Sequence, residues 1–123
     1  MNNPKRFVFV TGGTGGFGKL LLERLCQNPD WEIHAVARGG ARRFQELKSP
    51  AITSALQTGR LLVLDLELSQ PDALAENLHR AYPTGQLPQR MDALIHIAGF
   101  SLFGPVLDVS LTEFRDLLDL NLL

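Results

Sequence analysis

The chain has one cysteine, one tyrosine and one tryptophan among 123 residues, and it carries no strong excess of either charge. A single thiol, Cys26, excludes an internal disulfide and a cysteine zinc cluster; Leu21, Leu22 and Leu25 around it point to a buried, unreactive side chain. His34 and His79 offer no ligand spacing, and His96, at the end of an apolar run, reads as a hydrogen-bonded structural residue, so no metal is expected. The formal net charge is −1 and no basic stripe is interleaved with aromatics, which argues against nucleic acid as a partner. No apolar run approaches the roughly 18 residues of a membrane span, and no hydrophobic leader precedes the first strand-like segment. The expectation is a soluble, cytoplasmic chain without a membrane partner. A hydrophobic content of 45% over 123 residues supports one domain, residues 1–123, with its own core, and leaves no room for two.

What the chain has in quantity is glycine, much of it in one run: Val8-Phe9-Val10-Thr11-Gly12-Gly13-Thr14-Gly15-Gly16-Phe17-Gly18-Lys19. Phe7 to Val10 is a β-branched and aromatic segment that suits a strand buried on both faces. Gly12 can turn tightly at positive φ, Gly16 lets backbone come close to a diphosphate, and Gly18 lets the following helix pack on the strand. That helix is expected to bury Phe17, Leu20, Leu21 and Leu25, aiming its N-terminal amides and positive dipole end at the turn, where an anion is favoured. Gly13-x-x-x-x-Gly18-Lys19 matches most of a phosphate-binding P-loop, but the hydroxyl that motif needs for magnesium is replaced by Leu20. The spacing Thr11-Gly12-x-x-x-Gly16-x-Gly18 is unbroken and resembles the short-chain dehydrogenase/reductase family.

Strand-like runs at Phe7 to Val10, Glu32 to Ala37, Leu61 to Asp65 and Ala93 to Ile97 alternate with helix-like segments. This is the pattern of an α/β, Rossmann-like, doubly wound parallel sheet. A helix from Pro71 to about Ala81 starts at Ser69-x-x-Asp72, turns Leu74 and Leu78 inward and ends at Tyr82-Pro83; Pro83 to Arg90 and the regions around Ser49-Pro50 and Thr58-Gly59 read as loops. Ser110-x-x-Glu113 is a second capping box, opening a helix with the apolar stripe Phe114, Leu117 and Leu118.

Twenty residues past Gly18, where this fold holds the adenosine ribose, stands Arg38, and Ala35 to Gly39 contains no carboxylate. A guanidinium there favours a 2′-phosphate, so NADP is expected over NAD. Arg42 and Arg43 either add to the same field or are solvated.

The resemblance implies more. It sets Gly12, Thr14, Gly15, Gly16, Phe17 and Gly18 around the cofactor. It implies the strand order 3-2-1-4, truncated after about four strands. Asp65 would accept from the adenine amino group with Leu66 flanking the ring, although an acidic residue also commonly ends a strand. His96-Ile97-Ala98-Gly99 stands where the family often has Asn-Asn-Ala-Gly; Ala98 and Gly99 match, and His-x-Ala-Gly occurs in ketoreductase relatives. Asn121 falls on the apolar stripe of the last helix, where the family carries a catalytic asparagine that holds a water of the proton relay; a core-facing amide satisfied by backbone is the other reading.

The family's serine and Tyr-x-x-x-Lys pair are not found, since Tyr82 has Gln86 four residues on and the lysines are Lys5, Lys19 and Lys48. The expectation is therefore the cofactor-binding half of an oxidoreductase acting on a small carbonyl or alcohol substrate, homo-oligomeric at full length. A non-catalytic NADP-binding module or an inactive fragment remains the alternative. A fourth strand left as an edge would make the isolated chain marginally stable or self-associating.

Overall fold

The computed structural model describes residues 5–68, 70–82, 87–98 and 105–121. Four strands, β1 (Arg6–Thr11), β2 (Trp31–Val36), β3 (Leu61–Leu64) and β4 (Ala93–His96), form one parallel sheet in the order β3-β2-β1-β4. Because every pair is parallel, the carboxyl ends of all four strands lie on one rim, and the chain reverses its direction of travel across the sheet between β3 and β4. The helices are α1 (Gly16–Gln27), α2 (Ala41–Gln45), α3 (Pro50–Gln57), α4 (Leu74–Ala81) and α5 (Leu111–Asn121), with 3-10 turns at Pro71–Ala73 and Val106–Asp108.

Alternation along each strand divides the core into two clusters. On one face Val8, Val10, Ile33, Ala35 and Leu61 meet Leu22 and Cys26 of α1, Phe44 of α2, and Ile52 and Ala55 of α3; Ala93 and Ile95 of β4 pack at the margin. On the other face Val36 and Leu64 meet Leu66 and Tyr82, with Leu74 and Leu78 of α4 packed against them. His34 lies on this second face, its Nδ1 2.9 Å from the Tyr82 hydroxyl. Burial lowers the His34 pKa, partly countered by Glu32, whose Oε1 stands 3.8 Å from Nε2. That is beyond hydrogen-bond reach, and this buried nitrogen has no hydrogen-bond partner among the described residues.

The strands fall where the apolar runs place them, shifted by a residue or two at their ends. The Ser49-Pro50 region, expected as a loop, instead starts a helix: Ser49 is its N-cap and Pro50 opens α3, since a proline at the first helical position lacks only an amide that would go unpaired. The Ser110–Glu113 box is formed on both sides: the Glu113 amide donates to Ser110 Oγ at 3.1 Å and the Ser110 amide to Glu113 Oε2 at 2.8 Å. The Ser110 amide holds the Glu113 carboxyl below its usual range. Ser69 and residues 83–86 lie outside the described residues.

The burial expected along α1 is overturned at two positions. Phe17 and Leu20 are 83% and 62% exposed, and the face of α1 that meets the sheet is Gly18, Leu22 and Cys26, with Leu21 and Leu25 half-buried. The reason is Gly18: a Cβ there would collide with the Gly12 carbonyl oxygen, so this position touches the turn. The residues four and eight further on then face the core, while those one before and two after are rotated away. Cys26 is buried as expected, and burial pushes its thiol up to about 11.

Candidate functional site

The rim at the carboxyl ends of the strands holds a cavity of about 680 Å³, within the range of small-molecule and cofactor pockets. Its floor is the turn from β1 into α1. Gly12 sits at φ +77°, and a Cβ on it would come within 2.5 Å of the Ala98 amide nitrogen, so only glycine lets the end of β4 close over the turn. Thr11 stitches the same junction: its Oγ1 accepts from the Ala98 amide at 3.2 Å and lies 2.6 Å from His96 Nδ1, while its carbonyl accepts from the Ile97 amide at 3.1 Å. These bonds fix Ala98 beside the glycines.

Around this floor the cavity is lined by Thr14, Gly15, Gly16, Phe17 and Gly18 at the start of α1, by Val36, Ala37 and Arg38 at the end of β2, and by Leu66, Glu67 and Leu68 after β3. Ile97, Ala98 and Asp116 of α5 close the remaining side. The first turn of α1 contains no acidic residue, and its N-cap, Gly15, places no side chain over the leading amides. Unpaired amides and the positive end of the helix dipole make this a site for an anion.

Arg38 stands on the rim with its side chain 79% exposed and its Nη1 3.5 Å from Glu67 Oε2. Asp65 follows directly on β3 at the same rim. Its Oδ1 accepts the Gly39 amide at 3.1 Å, tying the turn after β2 to the end of β3, and it is not among the cavity-lining residues. Leu66 is buried and lines the cavity. Gly99 lies outside the described residues, as does the side chain of Asn121, which closes α5.

Glu67, Leu68 and Asp116 are the cavity-lining residues that the sequence pattern does not single out, and Thr11, part of the glycine motif, has its joining role only in the structure. Glu67 stands three residues past the end of β3, the strand paired with the one that leads to Arg38, and that placement is the signal for it; nothing in the pattern of α5 marks Asp116. Among the described residues no group of three or more His, Cys, Asp or Glu could hold a metal ion, and no helix is long and apolar enough to cross a membrane.

No protein-family model matches the chain. Among curated proteins it is 29% identical over 120 residues to a 3-ketodihydrosphingosine reductase of Bos taurus, covering 98% of this chain and 35% of that protein. It is 26% identical over 118 residues to a short chain dehydrogenase/reductase of Aspergillus versicolor, covering 94% and 39%. Among solved structures, a variant of a Serratia marcescens short-chain dehydrogenase/reductase superposes with a TM-score of 0.72 at 23% identity, covering 97% of this chain and 46% of that one. The NADPH-bound carbonyl reductase from chicken fatty liver gives 0.66 at 22% identity, covering 96% and 43%. A short chain dehydrogenase from Leptospira borgpetersenii with bound NAD+ gives 0.67 at 19% identity, covering 97% and 41%. The chain thus spans 35% to 46% of the length of these relatives. The solved structures share its Rossmann-like fold, and both phosphorylated and unphosphorylated nicotinamide nucleotides occur among them.

Proposed function

We propose, from the premise that the curated and structural neighbours of this chain point to the short-chain dehydrogenase/reductase family, that it is the nucleotide-holding part of an NADP-dependent oxidoreductase. The reaction would move a hydride between the nicotinamide and a small carbonyl or alcohol compound. The observation that carries the reading is the cradle at Gly12 and Gly18: side-chain-free backbone, under the unpaired amides of α1, opening into a cavity of about 680 Å³ with a guanidinium on its rim. An anionic dinucleotide bearing a further phosphate fits that donor set, and an uncharged ligand would waste it.

When bound, NADP supplies the hydride or accepts it. In this reading the amides from Gly16 to Gly18 bind the diphosphate, on the turn that the Gly15 amide closes by donating to the Gly12 carbonyl at 3.3 Å, and Arg38 binds the 2′-phosphate. Leu66 flanks the adenine, with Asp65 holding the turn that carries Arg38. Ala98 and Gly99 make room on the nicotinamide side, and Asn121 holds a water of the proton relay. Hydride transfer also calls for a proton donor. Tyr82 does not serve: it is buried on the second face of the sheet against His34, and burial raises its pKa. That observation favours a second reading, a module that holds NADP without turning it over.

Titration with NADPH and NADH, followed by nicotinamide fluorescence and thermal shift, tests the assignment. NADPH should bind saturably and more tightly than NADH, and Arg38→Ala should weaken NADPH by about 10- to 100-fold, the cost of one charge-assisted contact, with little effect on NADH. An unchanged preference in that variant rejects the phosphate assignment. Oxidation of NADPH with a carbonyl panel separates the oxidoreductase from the silent holder.

A further inference from the structure

Arg38 is not idle on the rim. Ala37 donates its amide to Leu64 at 3.0 Å in the ladder between β2 and β3, so the register sets the residues after Ala37 opposite those after Leu64. This brings Glu67 to Arg38, with Oε2 3.5 Å from Nη1, and both residues line the same cavity. Asp65 holds the adjoining turn through the Gly39 amide, so the two strand ends cannot drift apart cheaply. Arg38 thus meets a carboxylate at the mouth of the cavity before any ligand arrives.

We propose that Glu67 is a specificity-determining residue of this site: its carboxylate competes with a ribose 2′-phosphate for the Arg38 guanidinium and so narrows the preference for the phosphorylated dinucleotide over the unphosphorylated one. This rests on the reading that the cavity holds NADP. A ligand without the 2′-phosphate leaves the Arg38–Glu67 pair intact. A ligand with it must displace Glu67 and then sit beside the displaced carboxylate. With Arg38 79% and Glu67 33% exposed, the pair is solvent-screened, so a dianionic phosphate wins the competition, but against a handicap.

The test is a double-substitution cycle on the full chain, with NADPH and NADH titrated into the wild type, Glu67→Gln, Arg38→Ala and the combined variant. Glu67→Gln should tighten NADPH by about fivefold, the upper range for an exposed ion pair, and change NADH by less than about twofold. In the Arg38→Ala background the same change should have a much smaller effect on NADPH, because nothing is left to compete for. Equal tightening of both nucleotides, no change in either, or a Glu67→Gln effect that persists undiminished without Arg38 would each overturn the proposal. If the wild type binds NADPH and Glu67→Gln alters nothing, the proposal alone falls; if the wild type binds neither nucleotide, the NADP reading falls with it.

Discussion

The two faces of the sheet are built to different standards. On the face covered by α1, α2 and α3, apolar side chains from all four strands are packed, and Val8, Val10, Ile33, Leu22, Phe44 and Ile52 are fully buried. On the other face β2 and β3 are sealed, by α4, Leu66 and Tyr82, and Phe9 of β1 is half-buried beside them; over β4, Leu94 is 69% exposed, and Leu111 and Phe114 of α5 also face solvent. The difference teaches where the cavity gets its rigidity. The glycine turn, Arg38 and Leu66 stand on the well-packed strands β1, β2 and β3, whereas Ile97, Ala98 and Asp116 are held by the thinly covered strand and by α5. Thr11 and Asp92 compensate at the two ends of β4. The Asp92 carboxylate accepts the Phe7 amide at 2.8 Å, and that bond first, then Arg90, holds its carboxyl below the usual range.

The sharpest way to break this comparison is to empty the first face. Phe44→Ala should cost about 3–5 kcal/mol, since the side chain is fully enclosed. Leu94→Ser should cost less than about 0.5 kcal/mol and lower the binding of a dye that reports exposed apolar surface. Urea unfolding of both variants decides it: similar losses would mean that the two faces are equally packed.

A smaller effect separates the faces by pH. His34 belongs to the second face, and its pKa in the fold is lowered by burial below the ordinary 6.5. The unfolded chain therefore takes up the proton first. Stability is complete above pH 6.5, falls as the pH drops from there through the lower value of the fold, and then levels off. His34→Gln should flatten that segment of the stability profile, measured by urea unfolding at a series of pH values. Parallel profiles for the variant and the wild type would remove His34 as the cause.

Much of this architecture is legible in the residues because it is local. Val8-Phe9-Val10 and Leu61 to Leu64 declare strands by composition, Ser110 and Glu113 declare a helix start by hydrogen-bonding chemistry, and Gly12 and Gly18 declare a turn that no side chain could fill. What was not legible depends on contacts between segments. The rotation of α1 is set by Gly18 against Gly12, and periodicity alone chose Phe17 and Leu20 as buried. The meeting of Glu67 with Arg38 and of Asp65 with Gly39 is set by the register of β2 and β3, which no single segment reveals. At Asp65 the sequence pattern pointed to the carboxylate itself and missed its backbone partner.

One measurement reaches the cradle directly: backbone amide chemical shifts of the chain recorded as NADPH is added. The largest changes should fall on the amides from Gly13 to Lys19, at Arg38 and Gly39, and at Ala98, with smaller ones elsewhere on the strand-end rim. Saturable shifts centred away from the turn between β1 and α1, or no shifts at any nucleotide concentration, would contradict the assignment of this glycine turn as a dinucleotide site.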